Sequence, residues 1–189
     1  MARPRQFDED RVLDAVMETF WQHGYDGTST QDLVDATGLG RGSLYAAYVN
    51  KDGLFAQALR RYQLRSRANA DRLAGFASPL AGLRDLLTRT IVADDHGCLA
   101  TNSAIEMAHR DPQVAALVAE SFRIVTAGIA AAIARGQAIG EIRTAGDPAA
   151  LALFVLTTMQ GLRVLSRTTP PAGRPDLHKV IDQALATLT

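Results

Sequence analysis

The sequence has few of the features that mark secreted, membrane-embedded or strongly charged proteins. Its 189 residues include one cysteine, Cys98, so no intramolecular disulfide can form and a disulfide-stapled secreted fold is excluded. The longest nearly apolar stretch, residues 124–134, is shorter than the roughly 18 residues that a membrane span requires. The basic start of the chain has no apolar segment of the signal-peptide type. These absences predict a soluble cytoplasmic protein with no membrane partner.

The overall charge gives no indication of a polyanionic partner, because 20 basic residues balance 20 acidic residues. A content of 47% hydrophobic and 21% charged residues is that of an ordinary globular protein. Residues 1–55 are acidic overall, with five basic residues against nine acidic ones. Between residues 36 and 51, however, there are two cations and no acid. Any nucleic-acid footprint must therefore be local.

Helical periodicity extends over nearly the whole chain, and no stretch alternates for long enough to predict a strand. We expect an all-α fold of about nine helices, with a three-helix N-terminal domain at residues 1–50 and a helical bundle at residues 51–189. The predicted helices cover residues 8–23, 28–37, 41–47, 51–73, 80–93, 99–109, 112–137, 148–167 and 176–188. Asp8 is placed to cap the first helix, with Phe7 and Val12 as a hydrophobic staple. Thr28 and Gln31 match a capping box at the start of the second.

Two short predicted helices are joined by Gly38-Leu39-Gly40, which is the pattern of a helix-turn-helix unit. The second helix of such a unit enters the major groove of DNA and presents its first turn to the base edges. Here that turn carries Arg41, Gly42 and Ser43, and an arginine can bind guanine or a phosphate group. The pattern predicts DNA binding, and the alternative is a solvated loop followed by a helix.

The segment after this turn has the spacing Leu-Tyr-x-x-aromatic-x-x-Lys-x-x-Leu at residues 44–54. Together with Phe20, the Gly24-Tyr25 pair and the Gly38 turn, it resembles the TetR family of bacterial transcriptional regulators. The resemblance implies a homodimeric, ligand-responsive repressor that is released from a palindromic operator by a small molecule. The implied partners are double-stranded operator DNA, a second copy of the chain and an unidentified, largely apolar molecule, with no cofactor and no enzymatic activity.

The resemblance also implies which residues touch DNA. Lys51 and Tyr48 would hold phosphate groups, whereas Arg41, Ser43 and Tyr45 would face the groove. The full set of implied contacts is Arg3, Arg5, Thr28, Thr30, Arg41, Gly42, Ser43, Tyr45, Tyr48 and Lys51.

The resemblance implies that the last two predicted helices form the dimer interface as a four-helix bundle. Residues 177–188 carry a regular apolar stripe, and residues 148–167 are apolar almost all round. A helix without a polar face needs cover on every side, which a partner subunit could supply; a central core helix would show the same pattern. The expected interface residues are Leu162, Leu177, Ile181 and Leu185.

A ligand pocket is expected between the helices of the bundle. Its candidate lining residues, which would equally suit an ordinary core, are Asn102, Glu106, Met107, Phe122, Thr126, Phe154 and Thr158. Cys98, at the start of a predicted helix, is a candidate redox sensor or a small packing residue. The sequence has neither a paired metal-ligand spacing nor a catalytic motif. Because residues 1–55 are acidic overall, the alternative function is a helical small-molecule-binding or cysteine redox-sensing module with little DNA binding.

Overall fold

The computed structural model describes residues 8–92, 96–170 and 174–189, and these residues form nine α-helices and no strand. The helices are α1 (Glu9–His23), α2 (Thr30–Thr37), α3 (Arg41–Tyr48), α4 (Lys51–Ala74), α5 (Pro79–Val92), α6 (Leu99–Glu106), α7 (Pro112–Ala138), α8 (Pro148–Thr168) and α9 (Arg174–Ala186). The all-α prediction is confirmed for this part of the chain. The largest difference lies at α6, which ends at Glu106 instead of the predicted His109, because residues 107–110 turn before Asp111 caps α7.

The capping predictions for α1 and α2 have different outcomes. Asp8 caps α1 as predicted, since its side chain accepts a hydrogen bond from the Arg11 amide at 3.2 Å. The predicted staple cannot be followed, because Phe7 lies outside the described residues. The capping box of α2 is displaced by one position from the prediction: Ser29 is the cap, and Asp32 accepts from the Ser29 amide at 2.7 Å. Thr28 is unavailable as the cap because its hydroxyl donates to the Gly24 carbonyl at 2.6 Å.

The described residues divide into two compact units. The first unit extends to Leu64 and includes residues 99–119, so it contains α1–α3, the start of α4, α6 and the start of α7. The second unit comprises residues 65–98 and 120–189. This division falls inside α4 and α7, whereas the sequence led us to expect one boundary at residue 50. A continuous helix gives no breaker signal at such a boundary.

The first unit has an aromatic core that joins α1 to α4. Phe20 and Phe55 are fully buried, and their rings meet edge to face with centroids 4.9 Å apart. Leu33 and Leu44 are also fully buried and anchor α2 and α3. The short helix α2 is therefore held by one large buried side chain and α3 by Leu44 together with Tyr48, while most of their remaining side chains stay accessible.

The second unit has its own core, formed by α5, α7, α8 and α9. The four residues expected at the dimer interface all belong to this core: Leu162, Leu177, Ile181 and Leu185. Within one chain the α9 stripe packs on α5 and α8, so the place of these four residues at a dimer interface stays a prediction. Periodicity shows which residues share a face of a helix, but not which element covers that face.

The apolar surface that remains exposed in the second unit lies mainly on α8 and α9. We call the following five residues the apolar face: Leu153, Phe154, Val164, Leu165 and Val180, all of which are more than one-third exposed. An open groove of about 430 Å³ runs between the two helices and is lined in part by Phe154, Val180 and Ala184. The unit therefore has an apolar core and, separately, an uncovered apolar surface.

Two helices, α7 and α8, are long and apolar enough to cross a membrane by length and composition alone. The sequence prediction counted only uninterrupted apolar residues, whereas this criterion tolerates a few charges in a longer window. The central helix of a soluble bundle meets the same criterion. In α8, Ala152, Val155 and Met159 are buried against the core of the second unit, and 22% of its apolar window is buried in all.

Candidate DNA-binding surface

The turn between α2 and α3 is built around two glycines. Gly38 has φ +69°, in the left-handed region, and its amide donates to the Val34 carbonyl at 2.8 Å, which closes the end of α2. Gly40 is the N-cap of α3 and supplies no side-chain hydrogen bond to the first turn. The first amide groups of α3 thus have no capping side chain and can face an anion such as a phosphate group, whereas the Ser43 amide already donates to the Gly40 carbonyl at 2.9 Å.

The first turn of α3 presents exposed side chains that are partly organised by α2. Arg41, Gly42 and Ser43 are all exposed. The guanidinium carbon of Arg41 lies 5.7 Å from the centre of the Tyr45 ring, and the Tyr45 hydroxyl lies 2.7 Å from the Thr30 hydroxyl. Three of the implied DNA contacts therefore form one cluster in the absence of DNA, which reduces the ordering that binding requires.

Lys51, the first residue of α4, is held by a neighbouring aromatic ring. Its ammonium nitrogen lies 4.4 Å from the centre of the Tyr25 ring, a cation–π contact. The Tyr25 hydroxyl donates to the carboxylate of Asp52, and burial together with this carboxylate raises the pKa of Tyr25 to about 12. Sequence reasoning did not assign this role to Tyr25, although the Gly24-Tyr25 pair was part of the resemblance.

The remaining implied contacts are less well placed or cannot be followed. Thr28 and Tyr48 are buried, with relative exposures of 1% and 6%, so their side chains offer little surface to DNA. Arg3 and Arg5 lie outside the described residues. We call the accessible set, with its members on α2, α3 and α4, the docking surface: Thr30, Arg41, Ser43, Tyr45 and Lys51.

Cations from beyond residue 55 offset part of the acidity of the first unit. Arg61 on α4 pairs with Asp10 and Asp14 of α1, each at 2.7 Å. Arg110 pairs with Asp26 at 2.6 Å. The negative balance of residues 1–55 thus overstates the repulsion that DNA would meet, because these acids have partners that a count over that segment omits.

The seven candidate pocket residues are divided between the two units. Asn102, Glu106 and Met107 lie in the first unit, where the Glu106 carboxylate binds backbone amides and Met107 is buried. The other four residues lie in the second unit. There Phe122 packs against the core, with the Thr126 hydroxyl bound to its carbonyl group, while Phe154 and Thr158 line the open groove instead of an enclosed cavity.

Cys98 is buried, with a relative exposure of 5%. A reactive thiol needs access to its oxidant and stabilisation of its thiolate form. The burial favours the packing role over the redox role for this residue. Among the described residues, no group of three or more His, Cys, Asp and Glu side chains could hold a metal ion.

Two family models match the chain. Residues 12–58 match the bacterial regulatory proteins of the tetR family, and residues 79–178 match the tetracyclin repressor-like C-terminal domain. The first match contains the complete turn between α2 and α3, and the second covers the whole of α5–α8 and the start of α9. Both parts of the chain are therefore similar to one kind of regulator.

Individual proteins agree with this result over most of the chain. The HTH-type transcriptional repressor ComR of Escherichia coli strain K12 is 32% identical over 172 residues, which cover 87% of this chain and 82% of ComR. The HTH-type transcriptional regulator YezE of Bacillus subtilis strain 168 is 29% identical, with 100% of both chains covered.

A solved structure of a similar protein contains DNA. It is a cysteine mutant of the TetR family transcriptional regulator CifR complexed with 26bp double-strand operator DNA, and it matches with a TM-score of 0.78. The two proteins are 32% identical, and the match covers 100% of both chains. The chain therefore belongs to the tetR family of bacterial regulatory proteins and is a DNA-binding transcriptional regulator.

Proposed function

We propose that the protein is a homodimeric repressor in the cytoplasm that leaves a near-palindromic operator when a small, largely apolar molecule binds. The observation that carries the DNA-binding part is the docking surface, where Arg41, Tyr45 and Thr30 are clustered beside an uncapped helix start. In this proposal Arg41 and Ser43 contact base edges and Lys51 binds a phosphate group. The repressor role is supported by the similarity to ComR, which is named as a repressor.

The apolar face supports the homodimer. Five large apolar side chains are exposed on two adjacent helices, and clustered exposure of this kind marks an interaction surface. A second copy of the chain would cover this face by presenting its own, as in a two-fold interface. On DNA the two recognition helices would then lie about 34–36 Å apart, so that they reach successive major grooves.

The DNA-binding proposal can be tested with a fragment from the region upstream of the protein's own gene. Replacing Arg41 with Ala should lower specific affinity by about 1–3 kcal/mol or relax the base preference. Replacing Lys51 with Ala should weaken binding to all sequences and lower the salt slope by about one phosphate contact. Arg123→Ala is the matched control, because Arg123 is exposed on α7 and pairs with a neighbour on the same helix. If Arg41→Ala and Lys51→Ala bind like the control, the assignment of the docking surface is wrong.

The dimer proposal has a separate test in Leu165→Glu. Leu165 is 47% exposed on α8, so a charge there should leave the chain folded but prevent a second copy from covering the apolar face. Sedimentation equilibrium should give a dimer for the wild type and a helical monomer for this variant. A variant that remains dimeric would show that the apolar face is not the interface.

Release by a small molecule can be tested once a thermal-shift screen of small apolar compounds has found one that binds. A coupling of about 1–3 kcal/mol would lower DNA affinity roughly 5–150-fold. Because coupling is reciprocal, the DNA must lower the affinity for the compound by the same factor. Equal affinities with and without DNA, measured by calorimetry, would contradict this part of the proposal.

A further inference from the structure

The turn between α1 and α2 (residues 24–29, the α1–α2 turn) is bound by a carboxylate far away in the sequence. Glu106, the last residue of α6, accepts hydrogen bonds from the Tyr25 amide at 2.8 Å and from the Asp26 amide at 2.7 Å. Hydrogen bonds to an ionised acceptor are roughly twice as strong as neutral ones. One side chain of α6 thus holds two consecutive backbone groups of the turn.

The sequence of the turn is adapted to this carboxylate. Gly24 has φ +75° and ψ 178°, a conformation that is essentially restricted to glycine. A Cβ atom at this position would also lie only 2.9 Å from Glu106 Oε2. Arg110, four residues after Glu106, donates to the Asp26 carboxylate at 2.6 Å. Residues 106–110 therefore hold the α1–α2 turn through both its backbone and a side chain.

What the turn positions is the ring of Tyr25. This ring lies with its centre 5.0 Å from that of Phe55, its hydroxyl binds Asp52, and its face carries the ammonium group of Lys51 at 4.4 Å. Lys51 and Asp52 form the first turn of α4. A continuous chain of contacts thus leads from Glu106 through the backbone and ring of Tyr25 to Lys51, entirely within the first unit.

We propose that Glu106 is a positioning residue for the DNA contact of Lys51 and that it acts through Tyr25. The proposal rests on the proposed function for the phosphate contact itself. Without the carboxylate, the two amides lose their acceptor, the turn relaxes and the Tyr25 ring no longer fixes the lysine. Ordering the Lys51 side chain then costs conformational entropy when DNA binds. This cost weakens the contact between Lys51 and the phosphate group.

The direction of the effect separates this role from a simple charge effect. Removing a negative charge from a DNA-binding unit reduces repulsion and strengthens DNA binding. If Glu106 positions Lys51 through Tyr25, however, removing the Glu106 carboxylate weakens DNA binding. A third possibility, that Glu106 only stabilises the fold, predicts a lower free energy of unfolding but no coupling between Glu106 and Lys51 in the affinity of the folded protein.

The test is a double-mutant cycle between Glu106→Gln and Lys51→Ala. DNA binding is measured by fluorescence anisotropy with a labelled fragment from the region upstream of the gene, over a range of salt concentrations. We expect Glu106→Gln to lower the salt slope by about one phosphate contact, as Lys51→Ala does, and the double variant to bind no more weakly than Lys51→Ala. Glu106→Asp retains the charge but shortens the side chain, so it should also weaken binding.

Glu18→Gln is the matched control, since it removes the same charge from α1 of the same unit. It should bind DNA as tightly as the wild type or more tightly. The proposal is overturned if Glu106→Gln binds like this control while Lys51→Ala is weakened, or if the losses of the two variants are additive.

Hydrogen exchange distinguishes a failure of this proposal from a failure of the proposed function. The amides of Tyr25 and Asp26 should be protected in the wild type and in Glu18→Gln. At least one of them should lose protection in Glu106→Gln, whose side chain keeps a single acceptor oxygen, while the α9 amides remain protected. Unchanged protection of the two amides in Glu106→Gln overturns the proposal whether or not DNA binds. If the wild type binds no DNA, the proposed function fails, and so does the proposed effect of Glu106 on the DNA contact of Lys51. The exchange data still decide whether Glu106 holds the α1–α2 turn.

Discussion

The two units differ in what they leave on the surface. In the first unit, only three large apolar side chains of the described residues are strongly exposed: Val49, Leu64 and Ile105. Its docking surface is polar and cationic, as a polyanionic partner requires. The second unit instead exposes the apolar face on α8 and α9, beside a complete core. One unit is thus suited to a charged partner, and the other to a second apolar surface.

Both units use a distant charged residue to hold a turn between helices. In the first unit Glu106 binds the amides of the α1–α2 turn. In the second unit Arg135 donates to the carbonyl group of Ala74, the last residue of α4, at 2.6 Å and to that of Phe76 at 3.0 Å. Helix ends leave backbone groups without intrahelical partners. The comparison shows that these groups can be satisfied by residues that no local capping pattern identifies.

The largest expected effect is a loss of stability that should differ between the buried side and the exposed side of α8. Leu162 is fully buried, so Leu162→Ala should lower the free energy of unfolding by about 2–5 kcal/mol. Leu165→Ala, three residues further along the same helix, removes a side chain that is 47% exposed and should cost much less within one chain. Urea denaturation of both variants checks this difference. Equal losses, measured on monomeric protein, would contradict the separation of the two faces.

A smaller effect is expected at the α1–α2 turn. Gly24→Ala should destabilise the fold by about 1–3 kcal/mol, because alanine does not readily adopt this conformation and its Cβ displaces the Glu106 carboxylate. Gly38→Ala is the control, since Gly38 also has positive φ but has open space around it. Thermal unfolding should show a larger loss for Gly24→Ala than for Gly38→Ala. The reverse order would mean that the carboxylate is not closely packed against residue 24.

A gain in stability is expected where α3 joins α4. Val49 has φ +70° and ψ −59°, and the Asn50 amide donates to the Tyr48 carbonyl at 2.9 Å, which is the strained form of the γ-turn. Val49 is also 81% exposed, so its side chain contributes little packing. Val49→Gly should therefore raise the free energy of unfolding by about 1 kcal/mol. A loss measured by urea denaturation would show that the turn is not strained.

The smallest expected effect is a shift in an alkaline titration. The pKa of Tyr25 is raised to about 12 from the ordinary tyrosine value of 10.0, so the unfolded chain loses this proton before the folded chain does. Stability should accordingly fall as pH rises through this interval, and the fall should be smaller in Tyr25→Phe. Ultraviolet absorbance should show one tyrosine that ionises late in the wild type and is missing in Tyr25→Phe. Identical late titration in both proteins would contradict the contact with Asp52.

Much of the fold could be predicted because its signals are local. Proline and glycine breakers placed the nine helices of the described chain, and the glycine turn with the Lys51 spacing indicated the docking surface. Where two local patterns overlap, the sequence did not decide between them: Thr28 and Ser29 both fit a cap, and the hydrogen bond from Thr28 to the Gly24 carbonyl selects Ser29.

The remaining features depend on contacts between distant residues. The stripe with Ile181 and Leu185 is equally compatible with an internal core and with a dimer interface, and α5 provides the internal cover. Glu106 was placed in a ligand pocket because it lies on an otherwise apolar helix, whereas its partners are backbone amides some 80 residues away. Backbone amides have no signature in the sequence, so this contact could not be predicted.

The central claim is that the docking surfaces of two chains, joined through the apolar face, bind one DNA duplex. Sedimentation velocity of the wild type with a labelled fragment from upstream of its gene tests this claim most directly, because it gives the number of chains on the duplex. We expect two chains per duplex, or four where two dimers share a site, and a much weaker complex for the Leu165→Glu monomer. A stable complex with one chain per duplex, or equal binding by this monomer, would contradict the account.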